Sequence, residues 1–237
     1  MDTFLSETET TALWLTLKVA IWSVIVSILP AIAVALVLAR GRFPGKSVLD
    51  GIVHLPLVLP PVVVGYLLLV LFSRNGPLGL WLKSHFDISI AFSWQGAALA
   101  SAVMAFPLMV RAIRLSLEAI DPGLEAAAKT LGAGRLRVLM TITLPLALPG
   151  LLAGTILGFA RSLGEFGATI TFVSNIPGET QTLPLALFSE AQIPGGEAAA
   201  LRLTLISVVI AFVALGASEF LARRMRARIG LKERGAS

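Results

Sequence analysis

Five long apolar segments constrain the fold of this chain more than any other feature of its sequence. They cover residues 13–39, 52–72, 91–110, 146–164 and 201–221. A helix that crosses a bilayer needs about 20 largely apolar residues, and each segment is of about that length. Only 14% of the chain is charged, whereas soluble domains have a charged fraction of about a quarter. We therefore predict a single all-α integral membrane domain over residues 1–237, with about five transmembrane helices.

The composition excludes several other kinds of protein. The chain has no cysteine, which rules out disulfides, thiol catalysis and cysteine metal sites. Its two histidines, His54 and His85, are too far apart for a local metal-binding pattern, so no metal site is predicted. The net charge of +5 comes from basic residues beside the apolar segments, a pattern that indicates membrane topology and not nucleic-acid binding. The acidic first twelve residues are unlike the positive start of a cleaved signal peptide.

The basic residues between the spans predict the orientation of the chain. Cytoplasmic loops of membrane proteins carry an excess of lysine and arginine. Segments 40–51, 111–145 and 222–237 hold fourteen such residues, whereas the opposite side holds Arg74 and Lys83 alone. We expect a multi-pass protein of the cytoplasmic (inner) membrane whose N-terminus is outside. The loop 121–145 and the basic tail 222–237 are then cytoplasmic.

The second and fourth apolar segments carry residues that indicate a bent or closely packed helix. The second, "HLPLVLPPVVVGYLLL", contains Pro60 and Pro61, and proline removes a backbone hydrogen bond and kinks a helix. The carbonyls that it frees need protein or water as partners. Both a packing kink and a place on a transport pathway remain open. In the fourth segment, Gly154 and Gly158 have the spacing of small residues at close helix contacts.

A second candidate pathway element is "FARSLGEFGATITFVSNIPGETQTLP", at 159–184. Arg161 and Glu165 have i,i+4 spacing and are placed for an ion pair. Charges at membrane depth usually face the bundle interior or a water-filled cavity, although the pair could also be purely structural. The following run is polar, and its amides and hydroxyls could hold an anion, in a short re-entrant element. The candidate pathway or gate residues are Pro60, Pro61, Arg161, Ser162, Glu165, Gly167, Thr169 and Thr171.

The sequence contains no recognisable catalytic motif. "GRFPGKS" at 41–47 resembles the end of a phosphate-binding loop, but Arg40 stands where the first glycine should be. G-x-S-x-G and H-E-x-x-H are absent. We therefore expect a subunit that is not an enzyme, has no catalytic residue and carries no cofactor.

A short polar helix is predicted between the third and fourth spans. Asp121 suits the N-cap, Pro122 the first helical position, and Gly132 the stop. The helix would be about 15 Å long, too short to span a bilayer. Its apolar stripe indicates a partner, either a cytoplasmic protein or the bilayer surface. Glu125 and Lys129 have the spacing of an i,i+4 ion pair.

The stretch "EAAAKTLGAGRLRVLMTITLP" resembles the EAA loop of the membrane subunits of binding-protein-dependent ABC importers. The resemblance consists of Glu-Ala-Ala, a glycine seven residues after the glutamate, and an apolar run that closes with Leu-Pro. In that family the loop forms the coupling helix, which docks in a cleft of the ATPase subunit. The implied coupling residues are Glu125, Ala126, Ala127, Gly132, Leu144 and Pro145.

Three further blocks, "HLPLVLPPVVVGYLLL", "FPLMVRAIRLSLEAID" and "ARSLGEFGATITFVSNIPGETQTLP", extend the resemblance to molybdate permease subunits over nearly the whole chain. Sulfate and tungstate permeases are near relatives of that group. The resemblance implies a type I importer fold, a homodimer in the lipid bilayer, two cytoplasmic ATPase subunits and a periplasmic or extracellular molybdate-binding protein. It also implies alternating access. The other hypotheses are a permease for a related oxyanion, a channel or carrier that works without ATP, and a purely structural subunit.

Overall fold

The structure of this chain, a computed structural model, describes residues 6–228. The side chains of residues 218–219, 221–223 and 225–228 are outside the described set, as is most of the predicted basic tail. Every regular element in the described range is helical. The elements are α1 (Glu7–Arg40), α2 (Lys46–Val58), α3 (Pro61–Phe72), α4 (Pro77–Phe86), α5 (Trp94–Glu118), α6 (Pro122–Thr130), α7 (Arg135–Val138), a π-helical segment (Leu139–Thr143), α8 (Leu144–Leu163), α9 (Gly167–Val173), α10 (Leu183–Glu190) and α11 (Glu197–Arg228).

Helix α1 is the longest element, and its ends follow local sequence rules. Ser6 and Glu9 form a reciprocal capping box, in which each side chain accepts a hydrogen bond from the backbone of the other. At the other end the backbone becomes extended at Gly41. At 1.5 Å per residue, α1 is about 51 Å long, well beyond the roughly 30 Å hydrocarbon core of a bilayer. One end of the helix must therefore extend past the hydrocarbon core, unless the helix is strongly tilted.

The centre of the molecule is the contact of α5 with α1 and α8. Glycines on α8 bring its backbone close to α5, as the spacing of Gly154 and Gly158 predicted. A Cβ atom at Gly158 would lie 2.6 Å from Sδ of Met109, and one at Gly154 would lie 3.1 Å from the carbonyl oxygen of Met109. Because both distances are shorter than an ordinary van der Waals contact, a side chain at either position would force the neighbouring atoms of α5 to shift.

The predicted second span is not a single kinked helix. Residues 46–72 form two helices, α2 and α3, which meet at an angle of 112°. Leu59 and Pro60 between them are extended, with ψ values of 141° and 133°. Proline disfavours helical backbone in the residue before it and removes a donor from the ladder, so two consecutive prolines break the helix where one would bend it. The sequence predicted a span over 52–72 that its prolines bend, and the structure shows that they break it into two helices.

The number of spans agrees with the prediction. Four long apolar stretches, Glu7–Arg40, Trp94–Glu118, Arg135–Leu163 and Glu197–Ala217, are each able to cross a membrane, and the bent pair α2–α3 makes a fifth if it counts as one span. Helix α11 packs on α8 and α10, while the short helix α9 packs on α3 and α5. The chain is thus an all-α, multi-pass membrane protein.

Candidate functional site

Helix α6 forms as its capping residues predicted. The side chain of Asp121 accepts a hydrogen bond from the backbone N–H of Gly123, and Pro122 occupies the first turn. Gly132 has φ +86°, a left-handed conformation in which a side chain is strained. The N–H groups of Gly132 and Ala133 bond back to the carbonyls of Lys129 and Ala128 and close the helix end. The last helical residue is Thr130 and Leu131 is the C-cap, directly before the predicted stop at Gly132.

Glu125 links α6 to two other parts of the same chain. Its Oε1 accepts hydrogen bonds from Nη2 of Arg40 and from the hydroxyl of Thr143, each at 2.9 Å. Arg40 is the last residue of α1, and Thr143 is the buried last residue of the π-helical segment. The expected ion pair with Lys129 is not formed: the Glu125 carboxylate is engaged by Arg40 and Thr143, and Lys129 is exposed. The carboxylate therefore ties α6 to the ends of two long helices.

The opposite side of α6 is apolar and open. No residue of α6 is buried, and Ala126 and Ala127 are both exposed. Leu124 and Leu131 expose 49% and 89% of their surface. We call Leu124, Ala126, Ala127 and Leu131 the α6 docking surface. An apolar, exposed surface on a helix of nine residues that has no buried apolar residue of its own is typical of a helix that packs on a partner.

Leu144 and Pro145 lie where the chain passes from the π-helical segment into α8. The backbone N–H of Leu144 donates to the carbonyl of Leu139, five residues back. Pro145 has no backbone N–H and cannot donate a helical hydrogen bond, so the π-helical turn ends directly before a residue that lacks a donor. These two residues therefore shape the joint between the loop that contains α6 and the membrane helix α8, while Pro145 itself is exposed.

The far end of α8 carries the predicted ion pair of Arg161 and Glu165. Nη1 of Arg161 lies 2.6 Å from Oε2 of Glu165. The other carboxylate oxygen, Oε1, accepts a hydrogen bond from the backbone N–H of Ala168 at 2.8 Å. Only 1% of the Glu165 side chain is exposed, against 28% for Arg161. Glu165 thus holds the end of α8 to the first turn of α9, a contact that the i,i+4 spacing did not indicate.

Ser162, Thr169 and Thr171 have hydroxyl groups that are engaged inside the protein. The hydroxyl of Ser162 is 2.7 Å from that of Ser23 and joins α8 to α1. Thr169 donates to the carbonyl of Phe166, and Thr171 to that of Gly167. A hydroxyl has one hydrogen to donate. In this conformation the two threonines therefore have no donor left for the anion contact that the sequence suggested.

Helices α3 and α9 bring the two predicted pathway stretches together. A Cβ atom at Gly167 would lie 2.7 Å from Cβ of Pro61. A Cβ atom at Gly65 would collide with the backbone of Ala168. The proline break and the start of α9 are thus in direct contact, at a joint where the backbones touch. We call this contact of Pro61 and Gly65 with Gly167 and Ala168 the α3–α9 joint.

A second charged network, which the sequence did not reveal, fastens α2 to α5. Nη1 of Arg114 donates to Oδ2 of Asp50 at 3.0 Å, and its Nε donates to Glu118 at 2.7 Å. Nδ1 of His54 lies 3.1 Å from Oδ1 of Asp50. The i,i+4 spacings of Asp50 with His54 and of Arg114 with Glu118 were visible in the sequence. The hydrogen bond from Arg114 to Asp50, which joins the two helices, links residues 64 positions apart and was not visible in the sequence.

Comparisons with known proteins agree with this architecture. A family model described as "Binding-protein-dependent transport system inner membrane component" matches residues 14–227. The chain is 60% identical over 226 residues to the molybdenum transport system permease protein ModB of Escherichia coli (strain K12), covering 95% of this chain and 99% of that protein. It is 60% identical to ModB of Haemophilus influenzae, covering 94% and 97%.

A more distant relative is the sulfate transport system permease protein CysT of Escherichia coli (strain K12), 41% identical over 75% of this chain and 65% of that protein. Among solved structures, a bacterial ABC transporter that imports alginate has a TM-score of 0.73 at 19% identity, covering 93% of this chain and 81% of that chain. The MetNI methionine ABC transporter in an inward-facing conformation has a TM-score of 0.69 at 18% identity, covering 93% and 99%. The two structures support the fold alone.

Proposed function

Because the chain belongs to the family of binding-protein-dependent transport system inner membrane components, we propose that it is the membrane subunit through which an ATP-driven importer carries molybdate into the cell. The observation that supports this cargo is the 60% identity to two molybdenum permeases over nearly the whole chain. Identity to the sulfate permease is lower and extends over less of the chain. Molybdate, tungstate and sulfate are all tetrahedral dianions, so the membrane path must accept a doubly negative oxyanion in each case.

Transport of this kind needs an assembly. The proposed complex contains two copies of this chain, two cytoplasmic ATPase subunits and an external protein that delivers molybdate. The chain itself has no phosphate-binding loop, so ATP hydrolysis belongs to the partner subunits. The α6 docking surface is where the ATPase is expected to bind, because it is apolar, exposed and on the side of the chain that carries most of its arginines.

The contacts of Glu125 suggest how movement of the ATPase reaches the membrane helices. A displacement of α6 acts on Arg40 and Thr143 through the same carboxylate. The first contact moves the end of α1, and the second moves the π-helical segment at the base of α8. Glu125 is therefore a positioning residue whose role is to keep α6 rigidly connected to two spans.

Movement of α8 then reaches the proposed gate. Its far end is bonded to α9 by Glu165, and α9 touches α3 at the α3–α9 joint. Because backbones are in contact there, α9 cannot shift without displacing α3 or opening the joint. We assign alternating access in this chain to that joint, with Arg161 and Glu165 as the link that drives it.

Uptake of labelled molybdate tests the cargo and the assembly. The chain is reconstituted in proteoliposomes with its ATPase and external binding protein, and ATP-dependent uptake is measured with tungstate and sulfate as competitors. We expect molybdate uptake that tungstate inhibits strongly and sulfate weakly. Uptake of sulfate that molybdate does not inhibit would show a different cargo, and uptake that does not require ATP would show a channel or carrier.

Two arginines at the end of α1 provide a matched test of coupling. Arg40 bonds to Glu125, whereas Arg42, two residues further on, is exposed and lies just beyond the helix end. We expect Arg40→Met to lower molybdate uptake more than ATP hydrolysis, because the ATPase still binds but moves α1 less. Arg42→Met should leave both rates near the wild-type values. Equal effects of the two changes would contradict the role of Arg40 in coupling.

A further inference from the structure

An amphipathic cleft runs along the contact of α1 and α5, at the end of the bundle opposite to Arg40. It consists of two adjoining cavities that share Trp94 and Gln95. One cavity has a volume of about 490 Å³ and is lined by polar and charged residues, among them Lys18, Ser93 and Glu179. The other, of about 260 Å³, is lined by Trp22, Val26, Ile90, Ala98 and Leu99 in addition to the two shared residues. A pocket that contains two charged residues thus lies directly beside an apolar groove.

The charged part of the cleft holds a cation and an anion that are not paired with each other. Nζ of Lys18 lies 3.6 Å from the centre of the Trp94 ring, a cation–π contact. None of the ion pairs within residues 6–228 joins Lys18 to Glu179. Glu179 sits in a tight turn in which three successive N–H groups bond to the carbonyl of Ile176. The backbone of Glu179 is thus ordered, and its exposed side chain lies at the rim of the cavity.

The height of Lys18 matches the headgroup level of a bilayer. Lys18 is 22 residues before Arg40 on α1, which corresponds to about 33 Å along the helix. The hydrocarbon core is roughly 30 Å thick, so a helix with Arg40 at one interface places Lys18 at the other. Trp14, Trp22 and Trp94 surround the lysine in the two cavities, as tryptophans do at the interface of membrane proteins.

We propose that this cleft binds a phospholipid with an amine headgroup, of the phosphatidylethanolamine type. Its phosphate bonds to Lys18, its ammonium group faces Glu179, and one acyl chain lies in the groove of Trp22, Val26 and Leu99. A zwitterionic headgroup complements the separated lysine and glutamate. A free oxyanion complements the lysine alone, is repelled by the glutamate, and leaves the apolar groove empty.

The test uses the full-length chain, purified in detergent, delipidated and then offered single lipids. Bound lipid is counted by native mass spectrometry, and the thermal midpoint is measured for the same samples. We expect phosphatidylethanolamine to bind and to raise the midpoint more than phosphatidylcholine, whose methylated amine cannot donate a hydrogen bond, or phosphatidylglycerol, which has no amine. Equal binding of the three lipids, or binding of none, would overturn the proposal.

Variants separate the two halves of the headgroup. Lys18→Met should weaken binding of all three lipids at least about tenfold, because the charge-assisted bond to the phosphate is lost. Glu179→Gln should remove the preference for phosphatidylethanolamine over phosphatidylglycerol and keep phosphate binding. Lys83→Met, which removes an exposed lysine of α4 that is paired with Asp87, should change neither value. Unchanged lipid binding in folded Lys18→Met would contradict the site.

Two further arms exclude other occupants. Millimolar inorganic phosphate or molybdate should not displace the lipid, and displacement by either would identify a free-anion site. Because the chain has no cysteine, Val26→Cys provides a single position for a spin label in the groove, where Val26 is 55% exposed. Lipid-soluble relaxation agents should reach this label in the assembled transporter. Protection of the label with strong spin–spin coupling between two copies would show that a second copy of the chain covers the cleft.

Discussion

Removing Arg161 should destabilise this protein more than removing its partner Glu165, although both changes break the same ion pair. Arg161→Gln leaves a carboxylate that is 1% exposed with one backbone N–H as its remaining partner. An uncompensated buried charge of this kind costs about 3–5 kcal/mol. Glu165→Gln leaves an arginine that is 28% exposed and can reach water, and the amide oxygen can still accept from Ala168. Loss of one such contact costs about 1–2 kcal/mol.

The expected difference of about 1–4 kcal/mol is measurable by equilibrium unfolding in mixed micelles, followed by the circular dichroism of the helices. The exposed pair of Lys83 and Asp87 serves as a reference, since breaking an exposed pair changes the unfolding free energy by less than about 1 kcal/mol. Equal losses for the two variants, or a larger loss for Glu165→Gln, would refute the argument from burial.

The same geometry predicts that exchanging the two charges does not restore transport. In Arg161→Glu combined with Glu165→Arg, an ion pair can form again, but no acceptor remains for the N–H of Ala168. The arginine would also place a positive charge at the N-terminal end of α9, where the helix dipole is positive. We expect molybdate uptake by this double variant to stay well below the wild-type rate. Restored uptake would mean that the ion pair alone matters and that the contact with α9 does not.

Three further predictions concern the docking helix, the proposed gate and the topology. Gly132→Ala should cost about 1 kcal/mol of stability, because alanine is strained at the positive φ of this position. No atom lies within 4 Å of the Cβ position, so a loss of ATPase binding in a pull-down that exceeds this loss of stability would come from a changed helix end. Gly65→Ala should lower uptake by overpacking the α3–α9 joint, at about 1–3 kcal/mol, while Gly51→Ala in the open on α2 should not; equal uptake would contradict the joint. A reporter enzyme fused after Ser237 should be active only in the cytoplasm, and an external signal would reverse the orientation.

Local rules were sufficient for the parts of the structure that local chemistry controls. The caps of α6 follow from Asp121, Pro122 and Gly132, because a cap depends on residues within one helical turn. The glycines of α8 predicted a close helix contact, because small residues let two backbones approach, but they did not identify α5 as the partner. Pro60 and Pro61 indicated a distorted helix. Whether the helix kinks or breaks depends on what packs against the prolines, and in this chain that is α9, about a hundred residues later.

Contacts between distant residues were beyond reach of the sequence. Glu125 has a lysine at i+4, and spacing favoured that partner, yet the structure pairs it with Arg40, 85 residues away. The polar run after Glu165 suggested donors for an anion, whereas Thr169 and Thr171 use their hydroxyl hydrogens within α9. In a membrane a hydroxyl without water nearby bonds to the nearest carbonyl. Composition shows that such groups are present, and only the fold shows whether they are free.

The π-helical segment decides which changes of length the loop before α8 can tolerate. Glu125 and Thr143 are 18 positions apart and are joined by a hydrogen bond, and the wide turn Leu139–Thr143 contains one residue more than an α-helical turn would. Deleting that extra residue would leave an ordinary α-helix, so the helix on either side would keep its direction. Deleting a residue of α7 instead would turn everything before it by about 100° around the helix axis, since each α-helical residue occupies that angle. Loops exchanged between importers to change their ATPase partner must therefore keep the residue count outside the wide turn, or α6 will face the wrong direction.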